Sequence, residues 1–147
     1  MLLWVLAVVV LGLMCGSELN VAAVGHPILN QQPLETHVRV RSSFAQRLGR
    51  IMPFWMAVST LLNLLLLFVG LDPAGRRLAA IAFAIQMGAV VFSLVAPVPI
   101  NDRIAHWTPE SLPADWSGDE HRWDRYHWLR TGWLVAAFIL LTLSIAV

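Results

Sequence analysis

Four stretches of apolar residues divide the chain, and each is about as long as a helix that crosses a lipid bilayer. They run over about 2–24, 51–71, 78–100 and 127–147. A helix rises about 1.5 Å per residue, so about 20 residues span the ~30 Å hydrocarbon core. A helix of this length satisfies its own backbone hydrogen bonds in lipid. The pattern therefore predicts a single all-α domain, residues 1–147, that crosses the membrane four times.

The polar connections between these stretches are unequal in length. Residues 72–77 read Asp-Pro-Ala-Gly-Arg-Arg, a short turn typical of an antiparallel hairpin between the second and third spans. An even number of crossings places the two long connections on the same side. The expected architecture is an antiparallel four-helix transmembrane bundle.

The first long connection contains an amphipathic pattern between Glu35 and Arg50. Apolar residues recur there at helical spacing among several arginines: Val40, Phe44, Leu48 and Ile51, with Arg39, Arg41, Arg47 and Arg50. This pattern predicts an interfacial helix that lies among the lipid headgroups before the chain turns into the second span. A solvated basic loop is the alternative interpretation.

The second long connection, residues 101–126, is rich in tryptophan and in acidic residues. Ser117-x-x-Glu120 fits a capping box and follows Pro113, so a helix is expected to begin before the membrane. That helix would continue through Arg130 into the fourth span. The tryptophans near this boundary resemble the aromatic belt of a membrane interface.

Composition supports the membrane interpretation and excludes some functions. Hydrophobic residues make up 58% of the chain and charged residues 13%, whereas soluble proteins carry about 25% charge. The net charge of +1 gives no electrostatic basis for binding nucleic acid. Cys15 is the only cysteine, so no intrachain disulfide can form. Seven of the ten arginines lie in the long connections, which the positive-inside rule places in the cytoplasm.

Polar residues from all four spans gather at one end of the expected bundle. Glu18 lies inside the first span, Arg50 stands at the entrance of the second, and Asn101 follows the third. His127 and Arg130 stand at the start of the fourth. An ionisable group within a span is costly and faces a partner or a cavity. Three interpretations of Glu18 are open: a structural ion pair with an arginine such as Arg130, a functional carboxylate, or a side chain that reaches the interface.

One face of the last helix carries an unusual set of side chains. At 100° per residue, five residues fall within about 80° of one another: Trp116, Glu120, Trp123, His127 and Arg130. One interpretation is a polar face that packs against the basic segment. The other is a pocket wall, in which the tryptophans stack a flat substrate, Arg130 holds an anionic oxygen and His127 moves a proton.

A metal centre is a further alternative. The ligands would be His26, Glu18, His127 and His106, with copper or iron as the metal. No short ligand spacing such as HxxxH or ExxH occurs, so they would have to assemble from separate helices and loops.

Several short motifs resemble those of the anthrone-oxygenase-like family of small four-helix membrane proteins, most of whose bacterial members have no assigned function. They cover nearly the whole chain: Gly16-Ser17-Glu18, His26-Pro27, Leu48-Gly49-Arg50-Ile51-Met52-Pro53-Phe54-Trp55, Pro99-Ile100-Asn101 with Trp107, Asp115-Trp116, and Arg122-Trp123-x-Arg125-Tyr126-His127-x-x-Arg130-Thr131. The last block is the most specific. The chain departs from the family in one place, because many relatives have an Asn-His pair where this sequence has His127-Trp128.

The resemblance implies oxidation of an anthrone-like aromatic carbon acid by dioxygen without an organic cofactor. In such a reaction His127 or Glu18 would be the base. Arg130 and Asn101 would stabilise the negative charge that develops on the substrate. Trp116, Trp123, Trp55 and Tyr126 are the expected substrate contacts. The expected location is the bacterial inner membrane. The protein could act there alone, as a homo-oligomer or together with a partner enzyme.

Two rival functions remain open at this point. One is a metal-dependent membrane oxidase that uses the ligands named above. The other is a non-catalytic membrane protein that positions another enzyme, with Trp107 and Trp116 in a docking surface.

Overall fold

The computed structural model describes residues 1–69 and 71–146, and the regular elements of this part of the chain are all helices, without strands. The elements are α1 (Leu2–Asn20), a π-helical turn (Val21–Gly25), α2 (His26–Leu29), α3 (Leu34–Leu66), α4 (Pro73–Val95), α5 (Pro97–Ile104) and α6 (Trp116–Leu143). The all-α prediction is confirmed. Residues 70 and 147, which fall in the predicted spans 51–71 and 127–147, lie outside the described residues.

Three helical segments are long and apolar enough to cross a membrane: Leu2–Leu29, Leu34–Leu66 and Pro73–Val95. Large apolar side chains are also exposed on the outside of the molecule, such as Phe54 at 73% and Phe68 at 77%. Apolar surface of this extent suits contact with lipid. These features indicate a membrane protein. The first half of α6 is polar, and the fourth crossing stays a prediction.

Small buried side chains allow the long helices to pack closely. Helix α4 contacts α3 and α6, and α1 contacts the same two helices. Ala82 of α4 and Ala137 of α6 are fully buried, and small residues let helix backbones approach in lipid. Gly75 is required at the start of α4, because a Cβ there would collide with the backbone carbonyl of Ser144.

The prediction of a separate interfacial helix over residues 35–50 is wrong. Those residues form the first half of α3, which runs without interruption for 33 residues. At about 1.5 Å per residue this helix is about 50 Å long, which exceeds the ~30 Å hydrocarbon core. The amphipathic segment is therefore an extension of the second span, and Pro53 lies inside the helix without ending it.

The first helical segment does not end at residue 24, the predicted end of the first span, but continues to Leu29. The chain widens into the π-helical turn, in which the His26 N–H donates to the Val21 carbonyl, and α2 then begins with Pro27 in its first turn. Proline is tolerated there because the first N–H groups of a helix have no helical partner. Single π-helical turns within helices are frequent at functional sites.

The prediction that a helix begins within the Trp-rich connection is confirmed, since α6 begins at Trp116. The predicted capping box is wrong. Asp115 is the N-cap residue and makes no side-chain capping bond. The Glu120 carboxylate accepts a hydrogen bond from His37 instead.

Candidate functional site

Glu18 forms a buried ion pair with Arg130. The side chain of Glu18 is 2% exposed, and its Oε2 accepts a 2.6 Å hydrogen bond from Arg130 Nη2. The pairing of Glu18 with Arg130, one of the three interpretations of this residue, is confirmed. The pair joins α1 to α6 in the interior of the protein.

His127 completes this cluster. Its ring has hydrogen-bond partners both in the neutral form and in the protonated form. Its Nε2 lies 3.0 Å from the Glu18 carbonyl oxygen, so Nε2 carries a proton and donates it. Its Nδ1 lies 3.1 Å from Arg130 Nη2 and 3.1 Å from Glu18 Oε2. A neutral ring accepts from Arg130 at Nδ1, and a protonated ring donates to Glu18. The site can therefore hold or release a proton at Nδ1.

The three side chains stand in the wall of a cavity of about 230 Å³. Most of the remaining wall is apolar and comes from α3, α4 and α5, including Met52, Met56, Val90, Leu94 and Pro97. Ligand pockets commonly combine apolar walls with a few convergent polar groups. The volume lies below the ~300–1,000 Å³ of pockets for drug-sized ligands, so it fits a compact molecule.

Two further predicted site residues line the same cavity. Trp123 stacks on the His127 ring, with centroids 4.7 Å apart and planes 12° from parallel. Asn101 lies on α5, and its Nδ2 donates to the Ala45 carbonyl at 3.0 Å. Gly49 allows that position, because a Cβ there would lie 2.9 Å from Asn101 Nδ2.

Three predicted substrate contacts lie away from this cavity. Trp116 packs against His37 and Trp107, with ring centroids 5.8 and 6.2 Å apart. Trp55 donates from Nε1 to the Val10 carbonyl. Tyr126 meets Phe92 edge to face. These residues support the surrounding structure, and their contact with a substrate stays a prediction.

A second buried polar network lies beside the cluster and joins α3 to α6. Arg41, which is 2% exposed, donates from Nη2 to Asp124 Oδ1 at 2.6 Å and stacks over Trp123 at 5.0 Å. His26 Nδ1 donates to the same Asp124 oxygen at 3.0 Å. Burial would raise the pKa of Asp124, but the hydrogen bond from His26 and the charge of Arg41 lower it to about 2. Asp124 is therefore ionised.

His37 and Glu120 extend this network toward α2. His37 Nε2 donates to Glu120 Oε1 at 2.7 Å, and its Nδ1 lies 3.0 Å from the Leu29 carbonyl oxygen. Both ring nitrogens of His37 therefore lie within hydrogen-bond distance of an oxygen.

Arg41 and Asp124 were not among the site residues predicted from the sequence. A signal was present, since His37 and Arg41 are four residues apart on α3 and Glu120 and Asp124 are four apart on α6. Residues at this spacing share a helix face. A basic pair on one face of α3 and an acidic pair on one face of α6 indicate that these two faces pack against each other.

An ion-paired cluster of two exposed arginines around the buried Asp119 lies at the start of α6. Arg103 of α5 and Arg122 bind Asp119 at 2.7 and 2.6 Å. The hydrogen bond from Arg103 is the main reason that the pKa of Asp119 falls to about 2.

The two rival functions can be compared with the positions of their residues. No group of three His, Cys, Asp or Glu side chains that could hold a metal ion occurs within 1–69 and 71–146. His106, one of the proposed ligands, is exposed, and its Nδ1 contacts the Asp102 carbonyl. Trp107, proposed for a docking surface, is buried against its own chain.

The fold and the site define a small helical membrane protein with a buried acid–base cluster beside an apolar cavity. Residues 41–140 match the anthrone oxygenase family, and the chain belongs to this family. The matched segment includes Asn101, His127 and Arg130, whereas Glu18 and His26 precede it. No match was found among curated proteins or among solved structures.

Proposed function

We propose that this protein is a membrane oxygenase that uses dioxygen to oxidise a compact apolar or polycyclic aromatic substrate of the anthrone type. The four long helices would form an antiparallel transmembrane bundle, with α6 as the fourth span. The site would lie near one membrane interface, and the substrate and dioxygen would both reach it from the lipid.

The observation that carries the proposal is the placement of one polar cluster in an otherwise apolar cavity. Glu18, His127 and Arg130 are buried and hydrogen-bonded to one another. Such groups are expensive to bury and are rare in membrane spans without a function. Their position in the wall of a cavity of about 230 Å³ brings them within reach of a small bound molecule.

The first step would be removal of a proton from the acidic carbon of the substrate. His127 Nδ1 would accept it, because the protonated ring can then donate to Glu18 Oε2 at 3.1 Å. A positioned base of this kind contributes about 10²–10⁴-fold to a rate. Trp123 would hold the His127 ring in place through the observed stacking.

Arg130 would stabilise the negative charge that moves onto the substrate oxygen. Its buried Nε–H has no hydrogen-bond partner in the described part of the chain. A buried donor left unpaired costs about 1–3 kcal/mol, so an oxyanion that accepts from it is favoured. Asn101, which lines the same cavity, would supply a second polar contact.

The overall reaction balances without another reductant. The substrate carbanion adds to dioxygen, and the resulting peroxide takes the proton from His127. The second hydrogen of the same carbon then leaves as a proton. Its electron pair forms the carbonyl, and the O–O bond breaks. One oxygen atom stays in the product and the other leaves as water, so the protein would need no organic cofactor.

The direct test is oxidation of anthrone by the purified protein under ¹⁸O₂. The proposal expects anthraquinone with one ¹⁸O atom and labelled water, at a rate proportional to protein concentration. Detergent without protein and heat-denatured protein measure the spontaneous oxidation. A rate equal to these controls, over a panel of anthrone-type substrates, would contradict the proposal.

A further inference from the structure

A second cavity, of about 110 Å³, shares His127 with the first one. Its wall includes Ala22, His26, Asn30, Asp124, His127 and Trp128. The two cavities differ in character, because the larger one is mostly apolar and the smaller one has four polar side chains. We call the smaller one the polar chamber. His127 is thus in contact with both spaces.

The polar chamber meets the physical requirements for holding water. A cavity needs only about 10–15 Å³ of accessible space to hold one water molecule, together with two to four polar partners. The chamber exceeds that volume and offers His26, Asn30, Asp124 and His127. Because the Asp124 carboxylate accepts from His26 Nδ1, the neutral His26 ring keeps Nε2 as an acceptor for water.

The chamber also reaches the surface of the protein. Asn30 and Trp128 are exposed, and the Asp124 side chain is 27% exposed. The wall therefore runs from the buried His127 to residues in contact with the surroundings. Tryptophan at the opening is typical of a membrane–water interface.

We propose that the polar chamber is a water-filled passage that connects His127 with the aqueous interface. Its role in turnover rests on the proposed function. The passage would let His127 exchange its proton with bulk water, and it would carry away the water that each turnover releases into an apolar site.

The charges around the passage are fixed by pairing. Arg41 from α3 and His26 hold Asp124, and Glu120 of α6 lies against Arg41. Glu18 from α1 and Arg130 of α6 pair on the far side of His127. Each of these three carboxyl groups lies within 3.5 Å of an arginine nitrogen, so the side chains around the passage are held in place.

The first test measures water access and needs no enzymatic activity. The single native cysteine, Cys15, is replaced by alanine, and Ala22→Cys places a thiol in the chamber wall. Reaction with silver ions in water reports access. The matched control is Ala23→Cys, which lies on the exposed side of the same turn. The proposal expects the thiol at position 22 to react at least tenfold faster than the thiol at position 23. Equal or slower reaction would overturn it.

The second test links the passage to His127. Without oxygen, a base that exchanges its proton with solvent transfers deuterium from D₂O to the acidic carbon of anthrone. Asp124→Asn should slow this protein-dependent exchange at least fivefold without weakening substrate binding, and a small weak acid such as acetic acid should restore it. A purely structural effect would not be restored in this way. Unchanged exchange, or loss without rescue, would overturn the link to His127.

These tests separate the two proposals. If no anthrone is oxidised but the thiol at position 22 is accessible, the proposed function fails and the water passage stands. If anthrone is oxidised and the thiol is inaccessible, the passage fails and the proposed function stands.

Discussion

The carboxylate of Glu18 and the guanidinium of Arg130 lie 2.6 Å apart in the protein interior, although 112 positions separate them in the sequence. The pair ties the end of α1 to α6 and fixes both groups beside the larger cavity. His127 contacts both members of the pair, so its position depends on them.

The Glu18–Arg130 pair should behave as a coupled unit in stability. Glu18→Gln or Arg130→Met alone leaves a buried charge without its partner, and each should lower the free energy of unfolding by about 3–5 kcal/mol. The double variant should lose clearly less than the sum of the two. Reversible unfolding in detergent measures all four proteins. Additive losses would show that the pair is not coupled.

Two arginines on α3 should differ strongly in their contribution to stability. Arg41 is 2% exposed and is held by Asp124, whereas Arg39 is 58% exposed and pairs with Glu35 on the surface. Arg41→Ala should cost about 3–5 kcal/mol, because it leaves Asp124 partly unpaired in the interior. Arg39→Ala, the matched control, should cost less than about 1 kcal/mol. Equal unfolding free energies for the two variants would contradict the buried network.

Gly49→Ala should reduce activity more than stability. The new Cβ would lie 2.9 Å from Asn101 Nδ2, and the Asn101 side chain would move to make room. Displacement of a positioned group by about 1 Å can reduce a rate by up to 10²-fold, so kcat/KM for anthrone oxidation should fall on the order of tenfold. Gly132→Ala is the control, since a Cβ there meets no atom within 4 Å. Full activity of the Gly49→Ala protein would show that Asn101 does not contribute to the site.

Asp119 should contribute to acid stability. Its pKa in the folded protein is about 2, below the ordinary value of 3.8, so the ionised form is favoured by folding. The contribution is fully present above about pH 4 and is lost as the pH falls toward 2. Asp119→Asn should therefore lower the melting temperature at pH 7 and flatten its change between pH 4 and pH 2. An unchanged dependence of the melting temperature on pH in Asp119→Asn would contradict this contribution.

The sequence located the central cluster correctly for a physical reason. Glu18, His127 and Arg130 stand out because an ionisable group in or beside an apolar span is costly and needs a partner. The presence of four long helices followed from the hydrophobic runs in the same way, whereas the extension of α3 back to Leu34 and the short helices α2 and α5 did not. The hydrophobic runs do not show how each helix is rotated about its axis relative to its neighbour.

The second network was missed for that reason. Arg41 belongs to an amphipathic pattern that also fits a helix at the headgroups, and only the position of Asp124 opposite it shows that it is buried. Glu120 fitted a helix cap by local spacing, but a long-range bond to His37 takes its place. The π-helical turn before Pro27 has no local signal beyond the proline itself.

The central claim is that His127 is the base of an oxygenase site. The most direct measurement is anthrone-dependent oxygen uptake by the purified wild-type protein, His127→Gln and Glu18→Gln, with His121→Gln as the control on an exposed histidine of the same helix. The account predicts activity in the wild type and in His121→Gln, and a loss of about 10²–10⁴-fold in His127→Gln. Full turnover in both His127→Gln and Glu18→Gln would contradict it.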